Sequence, residues 1–215
     1  MAPLVFVADI KTVSQEARDQ AIQHLYKVTD YAYANESGTS RYLVCIPIDD
    51  SDNTSIYMVE GYKATKDQEA HRAAPPVAEL FKALGGGLVS APPAAYTLSP
   101  VAGFQRSGLT TPPAGAVIIL TTFGYHAGYT GFAVEGWKAL VAHAQANEPG
   151  ALAVSILEDA EGSKIHSVQV FDSEQSADAH VNGEAIKANR DHNGSARNGE
   201  RSVVRVKALY GYLAK

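Results

Sequence analysis

His71 and His180 are the side chains of this chain best suited to moving protons, because a neutral imidazole takes or gives a proton near neutral pH. Each follows an alanine, Ala70 or Ala179, and each stands nine positions after an aromatic residue, Tyr62 or Phe171. Ahead of His71, Glu60 and Tyr62 are two apart on a strand and share its face with Met58 and Ile56. If that face lines a pocket, Tyr62 can bond a substrate oxygen and Glu60 can orient a histidine. If it lies under helices, Tyr62 is core. The spacing leaves both open. His71, Tyr62, Glu60 and His180 make up the candidate catalytic set, against the plainer reading of helix histidines bonded to a neighbouring strand or loop.

The candidate substrate-binding set is Asn35, Trp137, Phe171 and Met58. Asn35, like Asn147, ends a helix, where Asn also serves as a cap. Trp137 falls on a helical stripe, so it is a core aromatic or a substrate wall. Arg41 and Arg72 either hold an acidic substrate group or stand in solvent. Tyr57 corresponds to His166 on the opposite strand face, which reads as exposed. His24, His126, His143 and His192 have no partner at ligand spacing. Metal-ligand spacing, a Gly-x-Ser-x-Gly elbow and a glycine-rich phosphate loop are absent; Gly85-Gly86-Gly87 follows a helix and reads as its stop. Cys45, the one cysteine, sits in the apolar run Leu43-Val44-Cys45-Ile46 and reads as a buried thiol.

The elements that must position these residues occur twice. Ala34-Asn35-Glu36-Ser37-Gly38 returns as Ala146-Asn147-Glu148-Pro149-Gly150, a spacing of 112, and the aromatic-to-histidine segment returns at a spacing of 109. A repeat of that length is a whole small domain. Each copy reads strand, helix, strand, strand, helix, strand. Leu4 to Ala8 opens the first, followed by a helix from Ser14 with Ala17, Ala21, Leu25 and Val28 on one stripe. Tyr42 to Ile48 and Ile56 to Lys63 form a hairpin. Thr65 and Gln68 have capping-box form, and a last strand lies between Ala95 and Phe104. The second copy runs from Val117 to Leu213, with Ser173 as a helix cap and Asn189 to Arg201 as a mobile loop. The fold expected is α+β: two ferredoxin-like (β-α-β-β-α-β) modules packed as a dimeric α+β barrel pseudo-dimer, over residues 1–104 and 116–215 with the Gly-, Thr- and Pro-rich 105–115 as linker. A sheet with helices on one face must bury the other, and packing on its twin would enclose a pocket in each half.

A net charge of −5 with scattered basic residues argues against a nucleic-acid or anionic-membrane surface. No apolar run approaches the roughly 18 residues that span a membrane, and Met1 to Val7 reads as a strand rather than a signal peptide. The default expectation is a cytoplasmic protein.

The order strand, helix, Asn-Glu-x-Gly, hairpin, Glu-x-aromatic and Ala-His resembles the antibiotic biosynthesis monooxygenase family of dimeric α+β barrels. It stands here as Asn35-Glu36-Ser37-Gly38, Glu60-Gly61-Tyr62 and Ala70-His71, and again as Asn147-Glu148-Pro149-Gly150, Gln169-Val170-Phe171 and Ala179-His180. The family often has Trp where this chain has Tyr62 and Phe171, and copy two has Gln169 for Glu60. The resemblance implies a monooxygenase that oxidises a small hydrophobic metabolite (an aromatic polyketide, an anthrone or quinol, or a lipid-like compound) with molecular oxygen and no metal or flavin. Its partners would be that substrate and O2, with a homodimer of the pseudo-dimeric chain left open. A non-catalytic ligand-binding or stress-response barrel is the alternative, and haem degradation a weaker one. Because copy one keeps Glu60, Tyr62 and His71 together, it is expected to be the more active half.

Overall fold

A computed structural model describes residues 2–215. Strand β1 (Leu4–Lys11) leads to helix α1 (Gln15–Asn35), then β2 (Thr39–Pro47), β3 (Ser55–Tyr62), α2 (Thr65–Arg72), α3 (Pro75–Ala83) and β4 (Ala94–Gln105). The order repeats as β5 (Val117–Tyr125), α4 (Thr130–Asn147), β6 (Ala151–Asp159), β7 (Lys164–Phe171), α5 (Glu174–Val181), α6 (Glu184–Asn193) and β8 (Arg197–Tyr212). This is α+β with the ferredoxin-like order in each half.

The chain divides into two compact units. The first comprises residues up to Thr97 together with Val206–Lys215, and the second is Leu98–Arg205. In the first, the strands run β1-β3-β2-β8, all antiparallel, with Tyr42 opposite Tyr212 and Pro47 opposite Val206. In the second they run β5-β7-β6-β4, with Leu98 opposite Asp159 and Gln105 opposite Ala153. Each unit therefore takes its fourth strand from the other sequence repeat: the first half's last strand serves the second unit, and the chain's final residues complete the first.

Local signals explain most of the elements. Ser14 caps α1, its hydroxyl accepting from the Ala17 N–H at 3.2 Å. The α1 stripe is buried as its period demands, with Ala21, Leu25, Val28 and Ala32 at most 1% exposed. Ser173 caps α5 in the same way. Gly87, at φ 107°, stops the turn that follows α3, a backbone that side chains rarely adopt. Cys45 is fully buried, and burial pushes its thiol up to about 12, so it is an inert core group.

Three local expectations are corrected. Thr65 does not cap α2: it is the helix's first residue, Ala64 holds the cap position, and no side chain bonds there. Residues 189–201 are not a mobile loop but the end of α6, a short 3-10 turn and the start of β8. That segment looks too polar for a helix, yet Ala185 and Ile186 pack on the second unit's core. Gly136 on α4 also lets α6 approach so closely that a Cβ there would lie 2.6 Å from the His192 ring. His166 is buried rather than exposed; burial lowers it to about 4, and Thr122 Oγ1 bonds its Nδ1 at 2.9 Å.

Gly211 in β8 sits opposite Leu43 at φ 119°, beside a register shift in β2, and any Cβ there would collide with the Tyr42 carbonyl oxygen. Gly211→Ala should therefore destabilise the protein by about 2 kcal/mol or more, combining backbone strain with displaced strand pairing. Denaturant unfolding measures it, and an unchanged midpoint would contradict this account.

Candidate active site

In the first unit β3 is buried along all eight residues, and the face carrying Met58, Glu60 and Tyr62 looks toward the helices. Leu25 of α1, Gln68 and His71 of α2, and Val77 and Leu80 of α3 stand over it. Between sheet and helices they enclose a cavity of about 370 Å3, within the roughly 300–1,000 Å3 typical of ligand pockets. The two alternatives for the Glu60–Tyr62 face thus merge, since it lies under the helices and also lines a pocket. Apolar walls come from Phe6, Ala8, Ile10, Leu25 and Met58. The cavity reaches the surface beside Arg72, Phe81 and Ala95, all exposed.

Two polar clusters are set into that apolar wall. In one, His71 Nδ1 lies 2.8 Å from Glu36 Oε2, which also accepts from Thr39 Oγ1 at 2.6 Å. Burial pushes the Glu36 carboxyl up, but the hydrogen bonds from His71 and Thr39 outweigh it and hold the group below its ordinary value. An ionised Glu36 accepts the Nδ1 proton, which leaves Nε2 as the basic nitrogen of a cavity-lining ring. In the other cluster Glu60 accepts from the Tyr62 phenol, and Tyr42 bonds it as well. Burial raises Glu60, against the charge of His71 and the two phenols, and burial likewise raises both tyrosines. Both phenol rings lie 5.5 Å from the His71 ring, centre to centre. The site thus joins a held imidazole base to a carboxyl that retains its proton more readily than usual.

The second unit repeats the dyad and not its surroundings. His180 Nδ1 is 2.6 Å from Glu148 Oε2, and the ring is as buried as that of His71, but it packs against the phenyl ring of Phe171, at 5.0 Å, where His71 has the phenol Tyr62. Gln169 replaces Glu60 and donates to Ser167 Oγ at 2.8 Å, which in turn bonds Thr121 at 2.7 Å. Trp137, at the place of Leu25 by the spacing of 112, is 2% exposed and donates its indole N–H to Tyr125 at 2.9 Å. With Phe123 and Leu140 it belongs to a packed core.

The structure therefore gathers Met58, Glu60, Tyr62 and His71 around one cavity, and places Trp137, Phe171 and His180 in the interior of the other unit. Asn35 stands apart on the surface: its amide donates to the Tyr31 carbonyl at 2.9 Å, and it does not line the cavity, because a helix-end Asn satisfies its own last turn. Sequence reasoning missed Glu36, Tyr42 and Gln68. The signal for Glu36 was present, since the same glutamate recurs as Glu148 in the duplicated Asn-Glu-x-Gly, and each bonds its own unit's histidine. Among the described residues no three His, Cys, Asp or Glu side chains group as metal ligands, and no helix is long and apolar enough to cross a membrane.

Residues 116–191 match the family model for antibiotic biosynthesis monooxygenase. The fold is shared with a candidate monooxygenase from Fusobacterium nucleatum subsp. nucleatum, at a TM-score of 0.84 and 14% identity over 98% of this chain and 94% of that one. It is shared also with an anthrone oxidase-like protein, at 0.72 and 17% over 98% and 93%. A major regulator of staphylococcal pathogenesis has it too, at 0.61 and 6% over 96% and 99%. At these identities the likeness is one of fold. No curated protein matches the sequence.

Glu36 gives a signature in acid. Its folded pKa is depressed, so its stabilising contribution is complete above the ordinary value of 4.5 and fades as pH falls through the lower folded value. Glu36→Gln should cost about 1–2 kcal/mol at neutral pH. The gap from wild type should narrow below pH 4.5, as followed by thermal unfolding at a series of pH values. A gap constant down to pH 3 would contradict the pairing.

Proposed function

We propose that this chain, which carries an antibiotic biosynthesis monooxygenase domain over residues 116–191 and the ferredoxin-like fold twice, is an oxygenase whose working cavity lies in its first unit. Its substrate is a small, flat, hydrophobic molecule with an acidic C–H or O–H, such as an anthrone or quinol, and its oxidant is molecular oxygen. The observation that carries this reading is the Glu36-bonded His71 in the wall of a largely apolar 370 Å3 cavity, with the Glu60 cluster beside it.

For an anthrone the electrons balance as follows. His71 Nε2 takes a proton from the activated carbon, and ionised Glu36 holds the imidazolium through Nδ1. The carbanion gives one electron to O2, and the radical pair closes to a C–O–O anion, which takes the proton back from His71. Removal of the second C–H proton then breaks the O–O bond, leaving C=O and hydroxide. Hydroxide becomes water with that proton. Overall CH2 and O2 give C=O and H2O. Glu60, pushed up by burial and backed by Tyr42 and Tyr62, is suited to donate a hydrogen bond to the substrate's developing oxyanion. The apolar walls exclude bulk water, which strengthens each of these interactions.

Oxygen uptake by chelator-treated protein with an anthrone and quinol panel tests this. Turnover should proceed without added iron or flavin, His71→Ala should lower kcat at least about 100-fold, and His180→Ala should leave it within about twofold. Uptake that requires iron or flavin, or equal losses in the two variants, overturns the reading. Saturable binding with no uptake assigns the cavity to a non-catalytic ligand carrier.

A further inference from the structure

The charges around the first-unit cavity are unevenly placed. At its inner wall stand the Glu60 carboxyl and the His71 ring, with Glu36 behind that ring and bonded to its Nδ1. A carboxylate pushed that deep would lose its hydration in an apolar surround whose inner lining offers no lysine or arginine to offset the loss. At the mouth the sign reverses. Arg72, the residue after the dyad histidine, lines the cavity where it opens and is solvent-exposed. Its guanidinium makes no hydrogen bond or ion pair among the described residues, unlike Arg18, Arg106 and Arg205, each of which has a partner. Beside it Phe81 is 53% exposed, an apolar lip rather than a second charge. The path from mouth to floor thus runs from a free cation, through apolar walls, to the His71 ring and the Glu60 carboxyl.

We propose that the substrate is a hydroxy-aromatic or enolic carboxylic acid, which enters hydroxyl-first and leaves its carboxylate at the mouth on Arg72. This rests on the oxygenase reading of the cavity and narrows its substrate class. The planar guanidinium fork matches a carboxylate in two-point geometry. Holding the outer end fixes how far the ring system penetrates, and so which carbon reaches His71. Arg72 is a binding and positioning residue here, with no part in the proton transfers.

The probes are 6-hydroxy-2-naphthoic acid, whose hydroxyl and carboxylate sit at opposite ends of a flat apolar body, and its methyl ester, of nearly the same shape without the charge. Calorimetry on the full chain at low salt should show the acid binding about fivefold more tightly than the ester, the size of a favourable exposed ion pair. Arg72→Gln should remove that preference while leaving the ester's Kd unchanged, Arg72→Lys should restore part of it, and 0.5 M salt should erase it in wild type. Equal affinity of acid and ester in wild type, or an Arg72→Gln variant that loses both alike, overturns the proposal and leaves the oxygenase reading standing. A preserved acid preference without oxygen uptake on any substrate supports the Arg72 subsite while removing the catalytic role. Failure of wild type to bind either compound overturns both.

Discussion

A buried carboxylate and imidazole, Glu36 and His71, tie the end of α1 to α2 across the edge of β2, and the first unit's cavity depends on that tie. Removing two ionisable groups from water is unfavourable, and the pair is held by two bonds that converge on one carboxylate oxygen, Glu36 Oε2, while Oε1 stays buried without a partner. Thr39 supplies part of that satisfaction by donating to the same carboxylate oxygen. The bond also fixes the ring's tautomer, since an ionised carboxylate accepts from Nδ1, and so it sets which nitrogen is left basic. One interaction therefore fixes both the roof of the cavity and the chemistry available beneath it.

The duplication sets one glutamate–histidine bond in two different surroundings. Both units keep the glutamate–histidine bond, at 2.8 and 2.6 Å. Around it the registers match residue for residue: Glu60 pairs with Tyr42 across β2 and β3, and Gln169 with Val154 across β6 and β7. Ile10 faces Ile56, and Phe123 faces Ile165. Exchanging Leu25 for Trp137 and Ile10 for Phe123 adds volume to the interior. Exchanging Tyr42 for Val154 and Tyr62 for Phe171 removes the phenols that would bond a buried carboxyl, and a neutral Gln169 stands where an ionisable Glu60 would have no such support. These substitutions agree with one another, as a packed interior requires. The dyad of the second unit persists as a structural tie between α4's end and α5.

The architecture was legible because it rests on periodicities that a short window reveals: the α1 stripe, the paired strands, and a repeat with constant internal spacing. The site was legible in part. Glu60, Tyr62 and Met58 share a face by strand geometry alone, and His71 follows at a duplicated distance. Which face looks at the helices is a tertiary fact, invisible in an alternation where both faces are buried. Tyr42 was hidden inside an apolar run, where a tyrosine reads as one more large side chain. Glu36 was hidden by its place at a helix end, where an acidic residue next to Asn reads as local capping chemistry. The α6 segment failed differently. Its apolar contacts are only two side chains, Ala185 and Ile186, and its position rests on the close approach that Gly136 allows on another helix, which no local pattern records.

Glu36 and Glu60 also show why an apolar wall suits this chemistry. The same low-polarity surround acts on both carboxyls, yet they move in opposite directions, Glu36 below its ordinary value and Glu60 above. The difference lies in their partners. Glu36 bonds the imidazole directly, and that bond with the one from Thr39 outweighs its desolvation; Glu60 feels the charge of His71 without bonding it and bonds only phenols, and together these do not offset its desolvation. A single polar environment would have left the two nearly equivalent. Setting them in a largely apolar wall, one bonded to an imidazole and one to phenols, moves the two carboxyls apart, Glu36 toward its anion and Glu60 toward its acid, and such a separation suits proton traffic on a buried substrate.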